Sequence, residues 1–245
     1  MQAKSSSMWV WVTNGTLFAI AMAHVETMIV VYLRRLYYPE GFNFPLVIID
    51  VPTLLLELER EAATLVMLAT FGCAAGRTRT GKLAYFLLTF GVWDIFYYIW
   101  LKLILDWPDS LLTWDVLFLI PVPWIGPVIA PVSVACTMIV MALVMLHLER
   151  RDRVPVAGRT LWLAQISATL IVFISFIWDV LPRLADNGAL LKTWVPVTYR
   201  WWMLGFGQAL ALSSFLLWVW RGLRFTAPGI DRHRPAGDRH VPHMS

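Results

Sequence analysis

Ionisable side chains stand inside three long apolar runs. GVWDIFYYIW (91–100) holds one carboxylate, Asp94, among glycine, aromatic and aliphatic residues. AMAHVETM (21–28) holds His24 and Glu26, and LELEREAATL (56–65) holds Glu57, Glu59, Arg60 and Glu61. A charge at the centre of a bilayer costs at least ~2.5–3.5 kcal/mol and rarely faces lipid. Such acids are therefore expected to point inward and to find cations, donors or water. Helical spacing gives the faces: Asp94, Tyr98 and Lys102 follow at i, i+4 and i+8 with Tyr97 adjacent, and Glu57 and Glu61 at i, i+4 with Arg60 and Thr64 beside them. Glu59 points elsewhere. Glu26 shares its face with Ala19 and Ala23, small residues that let a neighbouring helix approach.

This pattern leads to a polar pocket opening outward and floored near the midplane by Glu26, Glu61 and Asp94. Glu57, Arg60, Tyr97, Tyr98 and Lys102 complete the expected binding residues. A site rich in carboxylate oxygen suits protons or a hard divalent cation such as Mg²⁺, Ca²⁺ or Mn²⁺, with Glu26, Glu61 and Asp94 as ligands. A second reading stands beside it: Glu57, Arg60, Glu61, Asp94 and Lys102 form a neutralised network that only fastens helices together. His24, two residues from Glu26, turns away from it and reads as a satisfied packing histidine.

Catalytic signatures are mostly missing. There is no G-x-S-x-G elbow, H-E-x-x-H or P-loop, and no Glu-x-x-His pair for a di-metal centre. His24 and His147 lie at different depths, which argues against a paired haem. No catalytic residue is assigned, and whether the chain is an enzyme stays open. Cys73 and Cys136 lie in separate apolar runs and read as small packing residues. Trp-Asp occurs at 93–94, 114–115 and 178–179, which chance explains in a chain with 14 tryptophans.

The elements that must position these groups follow from hydropathy. The 245 residues are 59% hydrophobic with a mean hydropathy of +0.65. Runs of about twenty apolar residues define an all-α polytopic membrane protein. Six transmembrane helices are expected, near 9–34, 53–75, 83–104, 127–148, 160–181 and 200–220. They form one domain over 1–225, followed by a disordered cytoplasmic tail over 226–245. The apolar first run continues to Leu33, too long for a cleaved signal peptide. The loops 76–82 and 149–159 carry three and four basic residues respectively, whereas 37–50, 106–110 and 184–188 are acidic without Lys or Arg. That alternation puts both termini in the cytoplasm of a bacterial inner membrane. Many tryptophans fall near span ends, as an interfacial belt does. The net charge of +4 resides in inner loops and tail, so the lipid bilayer rather than nucleic acid is the expected partner, with a homo-oligomer or larger membrane complex open. Asp115, Asp179 and Arg200 are expected near the outer surface.

WDVLFLIPVPWIGPVIAP (114–131) departs from plain spans, with four prolines and a glycine within eleven residues. Proline removes a backbone donor, and unsatisfied backbone in lipid costs several kcal/mol. A Pro-rich broken or re-entrant element before the fourth span is expected, with a short helix over 110–119; one long kinked helix is the alternative. The segments VVYLRRLYYPEGF, LEREAATLVML, GVWDIFYYIWLK and LTWDVLFLIPVPWIGPVIAP resemble a group of bacterial multi-pass membrane proteins with no established activity. The resemblance covers about residues 15–135, most specifically GVWDIFYY and LIPVPW, and implies only the membrane class.

Three functions fit. The first is a transporter-like protein whose outward cavity binds a cation or polar solute through the buried acids. The second is an intramembrane enzyme acting on a lipid or quinone-like substrate at the outer leaflet, one acid serving as base and Arg60 or Lys102 steadying an anion. The third is a non-catalytic subunit or assembly factor of a membrane complex.

Overall fold

The apolar runs fold as helices because each satisfies its own backbone along its length, the condition lipid imposes. The computed structural model describes residues 2–47 and 49–225. In chain order these are α1 (Gln2–Tyr37), α2 (Val51–Ala75), α3 (Arg79–Leu105), β1 (Trp114–Phe118), β2 (Trp124–Pro127), α4 (Ile129–Arg150), α5 (Arg159–Ile177), a 3₁₀ segment (Leu181–Lys192) and α6 (Trp201–Phe225). Among the described residues five helices are long and apolar enough to cross a membrane: α1 from Met8, α3, α4, α5 and α6. The tail expected over 226–245 lies outside the described residues.

Helix α2 is 25 residues long and is set apart by the charges at 57 and 59–61. It starts at a cap written in the sequence. The Asp50 carboxylate accepts from the Thr53 N–H at 3.2 Å and its hydroxyl at 2.8 Å, while Pro52 stands where no helical donor is needed. Tyr37 at the end of α1 donates to the same carboxylate at 2.7 Å. At the opposite end Trp11 of α1 meets Phe71 of α2 edge-on. Thus α2 runs antiparallel to α1 over the length of the bundle. The two helices touch only sparsely, and both lean on α3.

Helix α3 is the central post, packed by α1, α2 and α4. Small residues permit this: Ala19 and Ala23 of α1, Ala84 of α3 and Ala142 of α4 are fully buried. Gly91 faces α4 so closely that a Cβ there would stand 2.7 Å from the Ala135 carbonyl oxygen. Thr78 caps α3 through the Gly81 N–H at 2.9 Å and donates to Glu149 at 2.5 Å, tying the start of α3 to the end of α4. Helices α5 and α6 form a second antiparallel pair. It joins α4 through Gln208, which donates to Ser133 at 2.8 Å and accepts from Thr137 at 3.1 Å.

The fold is mostly helical, as expected, but the proline-rich segment departs from the short helix expected over 110–119. It is a two-stranded antiparallel hairpin, pairing Trp114 with Pro127, Asp115 with Gly126 and Val116 with Ile125, with a bulge before Phe118 meets Trp124. No helix forms over 110–119. Pairing supplies the backbone partners that a proline-broken helix would lack. Pro121 and Pro123 sit in the turn, Pro127 at a strand end and Pro131 in the first turn of α4, all places where a missing N–H costs little. The Val128 N–H donates to the Thr113 carbonyl at 3.0 Å and the Ile129 N–H to that of Leu111 at 2.8 Å, so the ladder runs directly into α4.

Candidate functional site

Because α1 and α2 meet sparsely, a hollow of about 290 Å³ is left between them and α3. It lies at the end of the bundle carrying the 38–50 loop, and strand β1 closes one side. Its walls are mainly aliphatic and aromatic, including Val30, Leu33, Leu54, Trp93 and Phe118. Into them are set five carboxylates, Glu26, Glu57, Glu61, Asp94 and Asp115, and two guanidiniums, Arg34 and Arg60.

The helical period explains the convergence. On α1, Glu26, Val30, Leu33, Arg34 and Tyr37 form one stripe; on α2, Leu54, Glu57, Glu61 and Thr64 form another. Helix α3 contributes Trp93, Asp94, Tyr97 and Tyr98. The sequence-derived acids and tyrosines therefore meet in one place, with Arg60 among them.

Most of these charges are already committed. Arg60 spans the gap between α1 and α2, pairing with Glu26 through Nη1 and with Glu57 through Nε and Nη2 at 2.9 and 2.8 Å. Thr64 donates to the other oxygen of Glu26. Glu61 accepts the Leu119 N–H with both oxygens, at 3.1 and 2.8 Å, fastening the end of β1 to α2. Asp115 accepts from Arg34 Nη2 at 3.0 Å and from the Tyr98 hydroxyl at 3.3 Å. Asp94 differs. No hydrogen bond or ion pair from a described residue reaches it.

Lys102 is not brought in. Eight residues beyond Asp94 is about 80° round the helix, and the ammonium instead turns outward to Asp106 at 2.7 Å. Its half-exposed side chain closes the C-terminus of α3, where Asp106 adopts the left-handed conformation at φ 54°. His24 lies outside the hollow, edge-on to Trp100, and its Nδ1 is buried without a partner among the described residues, so it is not the satisfied histidine expected.

Two residues of the site escaped the sequence reading. Asp115, expected near the outer surface, is 1% exposed and pairs with Arg34 inside the hollow. Asp179 and Arg200, by contrast, form a partly exposed pair at 2.8 Å. Arg34 was taken as part of a span end. Its signal was available: Arg34 and Arg35 are basic residues at the end of α1 whose following loop has no Lys or Arg, and Arg34 stands two turns from Glu26. Its guanidinium lies over two aromatic rings, Trp107 at 3.7 Å and Phe42 at 4.5 Å from the ring centroids, the rings themselves meeting edge-on.

The arrangement can do two things. The paired charges hold α1, α2, α3 and the hairpin in fixed relation. The unpaired carboxylate offers an anionic contact inside an apolar hollow. Among the described residues no group of three or more His, Cys, Asp or Glu side chains stands close enough to hold a metal ion. Glu26 and Glu61, two of the expected metal ligands, spend their oxygens on Arg60, Thr64 and the Leu119 N–H. Comparison with known proteins adds no family: no family model, curated protein or solved structure matches this chain.

Proposed function

We propose that this chain is an integral inner-membrane protein whose hollow, on the outer side, binds a cationic or polar solute and presents it for transport. The observation carrying this reading is Asp94. Among the described residues it is the one acid of the hollow with no partner, while its four neighbours are held by arginines, hydroxyls or backbone. A half-buried, unpaired carboxylate within a membrane span is expensive, and glue between helices would not leave it unpaired. A ligand cation removes that cost on binding.

The membrane arrangement proposed has six crossings, α2 being the one that carries the charges. At about 37 Å it is long enough to span the hydrocarbon, and it lies alongside α1 throughout. Six crossings would put both termini on one side, and the basic loops 76–82 and 149–159 favour the cytoplasm for that side. The enzyme reading is weaker, because Lys102 faces outward and Arg60 is saturated by Glu26 and Glu57. A hard divalent cation is also less well served than an organic one, since a single free carboxylate supplies few of the oxygens such an ion needs.

The test is a panel of cations titrated onto purified protein in lipid nanodiscs, with Asp94→Asn as the partner variant. Wild-type protein should gain thermal stability with at least one cation, and the amide variant should not. Equal responses from both proteins would remove Asp94, and with it this reading.

A further inference from the structure

The hollow offers hydrogen-bond donors as well as an acid. Arg34 is 8% exposed, with its guanidinium over Trp107 and Phe42 and Nη2 committed to Asp115; Nη1 is buried and has no partner among the described residues. Trp93, neighbour of Asp94 in the chain and 7% exposed, has a buried Nε1–H without an acceptor among the described residues. Leaving buried donors unpaired is costly, and more so for a charged one. All three residues line the same hollow. A simple cation answers Asp94 and leaves both donors orphaned.

Resting on the proposed binding function, we infer that the ligand is a zwitterion. It would carry a primary ammonium for Asp94 and, a few bonds away, an anionic oxygen for the free edge of Arg34, with Trp93 as second donor. Asp115 makes this geometry workable. It holds Nη2 of Arg34 and is bound by Tyr98, one helical turn from Asp94, so the free acid and the free guanidinium edge flank one anchored carboxylate. The stacked, paired guanidinium is immobilised before the ligand arrives, which favours a fixed partner. The aliphatic and aromatic walls suit an apolar portion, and the volume is near the small end for ligand sites. Two sources carry this chemistry: a free amphipathic amino acid and the phosphoethanolamine headgroup of a bilayer lipid.

The experiment uses the full-length chain in nanodiscs of phosphatidylglycerol, which lack ethanolamine lipid, with binding read calorimetrically. The probes are L-leucine, its amine-only analogue isoamylamine, its acid-only analogue 4-methylvalerate, and glycerophosphoethanolamine. A zwitterion should bind roughly ten- to a hundredfold more tightly than either single-charge analogue, the gain expected from a second charge-assisted contact. Asp94→Asn should remove the ammonium's share, so that leucine binds no better than 4-methylvalerate. Arg34→Lys, which keeps a cation for Asp115 but removes the second guanidinium edge, should leave leucine no better than isoamylamine. Trp93→Phe should weaken leucine without affecting isoamylamine. Tighter leucine supports the inference with a free amino acid as source; tighter glycerophosphoethanolamine supports it with a lipid headgroup. Isoamylamine binding as tightly as both zwitterions overturns the inference while leaving the cation-binding function standing. Binding of no probe to wild-type protein overturns the inference; the cation panel then judges the broader function separately.

Discussion

Removing the Arg60 guanidinium should be among the most damaging single changes in the bundle. Arg60→Gln takes the cation from two acids at once, Glu26 at 4% exposure and Glu57 at 7%. It also cuts the principal link across the sparse α1–α2 boundary. Breaking a buried pair by deleting one partner costs about 3–5 kcal/mol in soluble proteins. Intramembrane contacts average less, about 0.6–2 kcal/mol each. With three nitrogens engaged and 18% of the Arg60 side chain still exposed, the expected loss is about 2–4 kcal/mol. The assay is reversible unfolding in mixed micelles, run as a double-mutant cycle with Glu26→Gln. Glu26→Gln/Arg60→Gln should lose less than the sum of the two single variants, by about 1–2 kcal/mol, because the second substitution relieves an orphaned acid. Additive losses, or wild-type stability for Arg60→Gln, would show that the bridge does not hold these helices together.

Further outcomes follow from the same geometry. Lys102→Ala should leave ligand binding at the hollow unchanged, since the ammonium serves Asp106 at the helix end; a loss of binding in the nanodisc titration would contradict that placement. Gly91→Ala should destabilise by about 1–3 kcal/mol, because the added methyl meets the Ala135 carbonyl at 2.7 Å and Ile139 at 2.8 Å, and thermal unfolding measures it. Hydrogen bonds from Tyr37 and Thr53 hold the Asp50 carboxyl below its usual range. Its contribution to the α2 cap is thus complete above the unfolded pKa of about 4 and disappears as pH falls through the lower folded value. Asp50→Asn should flatten that acid limb, and identical pH profiles for the two proteins would refute the cap.

The acids of the hollow were legible because lipid makes them conspicuous. A carboxylate amid aromatic and aliphatic residues must turn inward, and the 3.6-residue period then says which of its neighbours go with it. Glu26, Glu57, Arg60, Glu61, Asp94, Tyr97 and Tyr98 were found in this way and share one cavity. Lys102 failed because its long stem lets the charge reach the surface whatever the starting face. Asp115 and Arg34 failed for the opposite reason: each lies near an apparent span end, where charge is ordinarily solvated. The hairpin was hidden because short apolar runs read alike as strand or helix, and only pairing between 114–118 and 124–127 separates them.

What the chain determines locally is the helical spans and the caps at Asp50 and Thr78, since hydropathy, backbone satisfaction and short-range hydrogen bonds need no distant partner. Which charge meets which was decided only by tertiary packing. Arg60 could reach Glu26 only once α1 and α2 both leaned on α3, and Glu61 could hold the Leu119 N–H only once the hairpin had folded over the gap. The same packing left Asp94 without a partner among the described residues, since Arg60 and Tyr98 are engaged with other acids and Lys102 is turned outward.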